Sequence, residues 1–571
     1  MIMTPTHPMG SWIRLLLALA LLPTLGAVVQ ADEGGKLRSQ VEAELPAVEA
    51  AYQSAPGDDG HRRAYADLLY KLGNIWQAND VIAPLATISS SNVEDLKLGG
   101  NLAYLVGDYD RAEELYQRLR TVAEKDSEVY TQAIRGLGLV FLQTDRFSET
   151  RDLEPPDGEE KGRDLLEFFQ KFEGEPNQIE WSTPEKVAHL PMINDYTQPG
   201  ELPLFELEVN GHPVEFILDT GGGLMYIDEG VAEKVGINHI HKTRSKYAYT
   251  KGEYVDEPLG AAETVTMGEV TLENVPVVVA KWKVMGPTSD GVITTQMLKK
   301  FLTTVDYDKG EITFRERSER GMQQFLDLLE GKPLQRPFWM ATTHLMFTKG
   351  SLNGRQGLNV FMDSGLASSM PLVIVNETLE ELGIADKKVD VEGTPYYWVP
   401  IESHGIGPLT RGASQALGNV FVEKNPYTES GFFLDVLISH QYLRHFGSWT
   451  IDFDTMTYYF PADSMERADK SLSEDQLETY AAAKEFNVEN PDEYVGRYEV
   501  APGVALEITA DDGVVFLQAP GQQKIGMEAV AKDSFRIRLA GARITFERND
   551  SGAVSALVLD QAGNQTRGTR K

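Results

Sequence analysis

The sequence predicts a multidomain chain with three characters in order: an N-terminal α-solenoid, a central all-β region of two lobes, and a small C-terminal all-β barrel or sandwich. Three observations predict it. Residues 37–154 have helical apolar spacing and almost no strand signal. Residues 201–463 and 491–571 consist of short alternating or β-branched runs separated by Gly, Asn and Asp. The central run also repeats itself at a nearly constant offset. At 571 residues the chain exceeds what one hydrophobic core can hold, since domains average roughly 150 residues. With 42% hydrophobic and 24% charged residues it has the composition of folded protein rather than of long disorder.

At the N-terminus, Arg14 precedes an apolar run from Leu15 to Val29, and Val29-Gln30-Ala31 leads into Asp32-Glu33. The run is shorter than the ~20 residues a membrane span needs, and small residues sit where cleavage requires them. Residues 1–31 are therefore expected to be a signal peptide cleaved near Ala31, which exports the chain to the periplasm or secretes it. No later stretch is long and apolar enough to span a bilayer. The absence of cysteine excludes disulfides, a thiol nucleophile and a lipid-anchored cysteine, so the exported chain must be held by its cores. A formal net charge of −33 argues against a nucleic-acid partner, because neutralising phosphates takes clustered Lys and Arg.

Within 37–154, Tyr70, Gly73 and Ala78 of YKLGNIWQA recur 34 positions later as Tyr104, Gly107 and Ala112 of YLVGDYDRA. This period, and the stretch GNLAYLVGDYDRAEELYQRL, resemble the tetratricopeptide repeats, whose helix pairs need small residues where they cross. A third unit around Ile134 to Arg151 fits the pattern poorly and reads as a degenerate cap. The resemblance implies either a plain helical array or a docking surface for a protein partner. Residues 155–200, which open on prolines, glycine and charge, are expected to be a linker, and 317–337 a second linker between the lobes. Residues 464–490 read as a polar helical connector. In the C-terminal domain, 491–571, Asp511-Asp512-Gly513 is a hairpin-turn signal.

The duplication divides the central region into lobes at 201–316 and 338–463. Asn210-Gly211 before VEFILDTG recurs as Asn353-Gly354 before NVFMDSG, which sets Asp219 and Asp363 144 residues apart. The segment Ile293 to Phe301 matches Ile438 to Phe446 at a shift of 145, and Val305-Asp306-Tyr307-Asp308 matches Ile451-Asp452-Phe453-Asp454 at 146. A lone Asp-Thr/Ser-Gly triplet is only a good turn. Here each triplet follows an apolar strand at the same point of its copy, so the two aspartates are expected to face each other as one pair. Gly221 and Gly365 would let each turn close tightly enough for backbone amides to reach the carboxylates.

On these residues the central region resembles the aspartic proteases, both the bilobed pepsin-like enzymes and the retroviral-type enzymes that build one site from two subunits. The segment DGVITTQMLKKF beside DYDKGEITF is similar to bacterial retroviral-type lobes. The resemblance implies a peptidase that activates water between Asp219 and Asp363, with Thr220 and Ser364 cross-bracing the turns, a peptide or protein substrate, and no cofactor or metal. It also implies a covering flap, for which KYAYTKGEYV offers Tyr247, Tyr249 and Tyr254. The chain departs from the family pattern at Gly222 and Leu366, where a small hydroxyl residue or Ala is usual. It departs again at Thr294 and Ser439, where a Gly is usual behind the catalytic loop. A second reading is therefore a catalytically silent, peptide-binding or scaffolding relative that uses the helical repeats for docking. No Gly-x-Ser-x-Gly, Ser-x-x-Lys or His-Glu-x-x-His motif is present, and His239 and His241 lack a third ligand nearby.

Overall fold

In the computed structural model the described residues are 37–571 apart from 126, 155–159, 198–200, 246–254, 281–288, 367–370, 391–395, 408, 413, 419–430, 465–487, 489, 502–503, 512–513, 520–523, 538–541, 550 and 562–563. Helices α1 (Arg38–Ser54), α2 (Asp59–Lys71), α3 (Ile75–Ile82), α4 (Val93–Leu105), α5 (Tyr109–Val122), α6 (Glu128–Gln143) and α7 (Glu160–Lys171) follow in order. Asp58, Asn92, Asp108 and Ser127 accept backbone N–H bonds at the starts of α2, α4, α5 and α6, satisfying donors that a helix leaves orphaned.

The 34-residue repeat falls on helix ends. Gly73 (φ 75°) and Gly107 (φ 81°) close α2 and α4 in the left-handed conformation, and the next amide in each case turns back to the helix (Asn74 N to Leu69 O, 2.8 Å; Asp108 N to Ala103 O, 2.9 Å). Helix α6 ends in the same way, with Asp145 (φ 58°) in the glycine's place and Arg146 N bonded to Phe141 O at 2.9 Å. That substitution, together with a spacing of 38 rather than 34 residues from Gly107, is why the third unit reads poorly in sequence.

The two β lobes share one wiring. In the first, the strand His212–Asp219 runs parallel to Gly291–Thr294, which pairs antiparallel with Met225–Asp228. In the second, Arg355–Met362 runs parallel to Val436–Ile438, which pairs antiparallel with Leu372–Ile374. The first lobe is an eight-stranded sheet, and the second belongs to a fifteen-stranded one. The larger sheet also joins the lobes. Phe301–Asp306 pairs antiparallel with Ser448–Asp452 so that Thr304 lies opposite its own repeat-mate Thr450, with the hydroxyls 2.8 Å apart. Two further strands flank this pair on each side, Glu311–Glu316 and Val187–Pro191 on one, Thr457–Phe460 and Leu334–Ala341 on the other.

Both expected linkers are corrected. Residues 155–200 contain α7 and two strands, Gln178–Trp181 and Val187–Pro191, which pair with Val270–Ala280 and Glu311–Glu316. Residues 317–337 contain the helix Glu319–Asp327, capped by Ser318, and the start of Leu334–Ala341. These short strands gain stability from partners far away in sequence, so local composition conceals them. The expected signal peptide lies outside the described residues, as does nearly all of the helical connector. At the C-terminus, eight strands from Gly496–Ala501 to Asn564–Arg570 close into a barrel filled by Tyr498, Ile508, Leu517, Phe535, Ile544, Phe546 and Leu557.

The helices are not a separate arm. Leu69, Leu102 and Leu137 share one core with Trp339, Phe347, Leu366 and Phe432 of the second lobe. Arg38, 5% exposed, makes a bidentate pair with Asp435, 2% exposed, at 3.1 and 2.7 Å. Lys349 donates to Leu72 O at 2.6 Å, satisfying a carbonyl at the C-terminal end of α2.

Candidate active site

Each candidate acid sits where an apolar strand ends against the parallel strand of its own lobe. Asp219 is in register with Thr294, and Asp363 N donates to Ile438 O at 3.0 Å. Each carboxyl is then held by its own turn, Gly221 N to Asp219 Oδ1 at 2.7 Å and Gly365 N to Asp363 Oδ1 at 3.1 Å. The turns are locked to each other by reciprocal bonds. Thr220 N donates to Ser364 Oγ at 3.0 Å, and Ser364 N to Thr220 Oγ1 at 2.9 Å. Each hydroxyl also donates onward, Thr220 Oγ1 to Met362 O at 2.7 Å and Ser364 Oγ to Leu218 O at 3.4 Å. Thr220 and Ser364 are fully buried, so every one of these bonds replaces water that cannot enter.

This lock sets the two carboxyls side by side, one from each lobe. A β-carbon on Gly221 would stand 2.9 Å from Asp363 Oδ1, and one on Gly365 would overlap the Asp219 carboxyl, so both positions need glycine. Asp363 is 4% exposed and Asp219 half-buried. Burial is the main cause raising both carboxyls above the usual range. For Asp219 the Gly221 N–H and the Asp363 contact oppose that rise. For Asp363 the neighbouring Asp219 charge adds to it, and the Gly365 and Leu366 amides offset only part. The pair therefore holds a proton, favoured on Asp363, over a wide pH range. Such an arrangement can take a proton from water on the ionised carboxylate while the protonated one polarises a carbonyl, with no covalent intermediate.

Residues 205–297 match the family model described as aspartyl protease. The matched stretch runs through the Asp219 turn to the strand behind it, so the chain contains an aspartic-protease-like domain. Residues 481–570 match a domain of unknown function (DUF3471). No curated protein matches. Among solved structures, a retropepsin-like aspartic protease from Rickettsia conorii is 16% identical with a TM-score of 0.17, covering 24% of this chain and 94% of that one. Conglutin gamma, a basic 7S globulin from lupine seeds, is 11% identical with a TM-score of 0.32, covering 50% and 99%. The basic 7S globulin from soybean is 10% identical with a TM-score of 0.29, covering 49% and 96%.

Within the aspartic-protease-like domain, two of the departures explain each other. A β-carbon on Gly222 would stand 2.8 Å from Thr294 Cγ2, so the missing side chain at 222 makes room for the one gained at 294. In the second lobe Leu366 turns away from the cleft into the core shared with the helices, and Ser439 N bonds Pro371 O at 3.0 Å. Tyr247, Tyr249 and Tyr254 lie outside the described residues. His241 meets Lys171 Nζ at 3.1 Å and Glu167 at 3.5 Å on the surface of α7. Among the described residues no group of three or more His, Asp or Glu could hold a metal ion.

Sequence reading missed the supports of the site. Thr295 Oγ1 donates to Thr220 O at 2.9 Å, and His344 packs beside Gly223. Thr295 lies inside a duplicated block and could have been singled out there. Gln143, in the helical region, donates to Thr343 O at 2.9 Å and has no sequence signal at all.

Proposed function

We propose that the chain is an exported aspartic endopeptidase that hydrolyses peptide bonds with water activated between Asp219 and Asp363, while Thr220, Gly221, Ser364 and Gly365 hold the two turns. One observation carries this reading: two carboxyls, one from each repeat, stand side by side across reciprocally bonded turns, a costly arrangement for a protein that only binds. The aspartyl protease match over 205–297 supports it. The compensation between Gly222 and Thr294 removes one reason to read the cleft as silent. Export rests on the apolar run that ends near Ala31. The helices, which resemble tetratricopeptide repeats, are proposed to offer their outer face to a protein partner.

The test is cleavage of an unfolded protein by the purified chain from pH 3 to 7, beside Asp219→Asn and Asp363→Asn. Cleavage by the wild type alone supports the peptidase. Equal behaviour of all three sinks it, and a wild type that binds peptide without cutting would favour the scaffolding alternative.

A further inference from the structure

The pseudo-symmetry of the lobes is broken at one point beside the site. In the first lobe, the connection from Val187–Pro191 to Leu204–Val209 is twelve residues, 192–203; in the second, the matching connection from Leu334–Ala341 to Leu345–Leu352 is three, Thr342, Thr343 and His344. The longer connection serves the second lobe, where Arg444 donates to Thr197 O at 3.1 Å. Lys299 is the repeat-mate of Arg444 at the shift of 145. The short connection offers it no counterpart, and Lys299 Nζ donates instead to Gln143 O at 2.5 Å and to Gln143 Oε1, at the C-terminal end of α6. Beside it Lys300, repeat-mate of His445, pairs with Asp145.

Gln143 is thereby bonded to both lobes at once. Its Nε2 donates to Thr343 O at 2.9 Å and to Tyr104 Oη at 3.0 Å, and Tyr104 donates to Thr342 O. Its Oε1 also accepts from Gln296 Nε2 at 3.3 Å, and Gln296 reaches Thr343 O as well. Gln296 stands next to Thr295, whose hydroxyl holds Thr220 O, and Thr343 stands next to His344, which packs on Gly223. Gln143 and Lys299 are each 4% exposed, so these bonds are not shared with solvent.

We propose that Gln143 is a positioning residue of the candidate active site: the end of α6 fills the place of the nine residues missing from the second lobe and fixes the Asp219 turn against that lobe. The helical region is then a third component of the site, reinforcing the bonds by which the two lobes hold each other's turns. The effect on catalysis rests on the peptidase reading; the effect on the turn does not.

The experiment compares full-length wild type, Gln143→Leu, Gln143→Glu and, as a control for general weakening, Arg63→Gln, whose bond to Asp95 lies within the helices. Hydrogen exchange is followed in peptides spanning 216–224, 292–300 and 340–346, with barrel peptides from 542–561 as reference, and kcat and KM are measured. Gln143→Leu should speed exchange in the three site peptides about tenfold, leave the barrel unchanged, and lower kcat about tenfold with KM within about twofold, since small misplacement of a catalytic group is costly. Arg63→Gln should not move 216–224. Unchanged exchange at 216–224 in Gln143→Leu overturns the proposal, as does equal loosening in Arg63→Gln. If the wild type cuts nothing but Gln143→Leu still loosens 216–224, the brace stands and the peptidase reading falls. Should Gln143→Leu not fold, Gln143→Glu decides. It keeps an acceptor for Lys299 and loses the donor to Thr343, so 340–346 should exchange faster, and a wild-type rate there overturns the brace.

Discussion

Thr294 occupies the space that a side chain on Gly222 would need, its Cγ2 lying 2.8 Å from where a β-carbon at 222 would stand. Thr294 is fully buried and on a strand that carries the Asp219 strand in parallel, so it cannot retreat. Gly222→Ala should therefore cost about 1–3 kcal/mol, the usual range for overpacking, and Thr294→Ser in the same chain should recover most of it by removing Cγ2. Chemical denaturation of both singles and the double closes the cycle. Simple additivity would show that the two residues do not oppose each other.

The reciprocal bonds between Thr220 and Ser364 give a second expectation. Thr220→Val keeps the shape but removes the acceptor of the Ser364 amide and the donor to Met362 O. A buried N–H left without a partner costs about 1–3 kcal/mol, and the aspartates lose their spacing. Stability should fall by that amount, and cleavage by more than the stability loss explains, measured on fully folded enzyme. Ser364→Ala should act in the same direction but less, because its onward bond to Leu218 O is long at 3.4 Å.

A third expectation concerns pH and stability. The Asp363 carboxyl is raised above its ordinary 3.8 by burial, with the Asp219 charge second. An acid raised in the folded state favours folding below its unfolded pKa, and that contribution is lost as pH rises through its folded pKa. Asp363→Asn cannot ionise and keeps an oxygen for the Gly365 amide. Its melting temperature should exceed that of the wild type at pH 7, by an amount worth more than about 1 kcal/mol, and the gap should close near pH 4. A gap that widens toward acid would contradict the assignment. The same upward shift of both carboxyls places the acid limb of any cleavage profile above pH 3.8, which a pH–rate series reads directly.

Arg38 and Asp435 tie the first helix to the second lobe. Asp435 also accepts from Asn359 N at 2.6 Å and Thr378 Oγ1 at 3.1 Å, so Asp435→Ala strands a buried guanidinium and two donors. A loss of about 3–5 kcal/mol is expected, against a much smaller loss for the exposed pair Lys387–Glu402 in a Glu402→Ala control. Thermal unfolding of the two variants makes the comparison.

The duplicated blocks made much of this legible in advance. The shifts of 144, 145 and 146 paired Asp219 with Asp363, and the same offsets reappear as matched strand wiring in the two lobes. What stayed hidden depended on distant partners. Gln178–Trp181 and Val187–Pro191 are short, flanked by Pro and Gly, and become strands only because Val270–Ala280 and Glu311–Glu316 receive them. Leu366 looked like an intruder in the catalytic loop, since nothing nearby in sequence announces the helical core it enters. In sequence Gly222 and Thr294 stand as two separate departures, because 72 residues separate two side-chain changes that meet in space.

Thr304 facing Thr450 has a mechanical consequence. The strands that carry them form one continuous ladder from lobe to lobe, so swinging the halves apart like a clamshell would shear the bonds of four residue pairs, each worth about 0.5–1.5 kcal/mol, together with the layers packed on them. The lobes therefore behave as a single block. Any motion that gives access to Asp219 and Asp363 then has to leave this ladder intact.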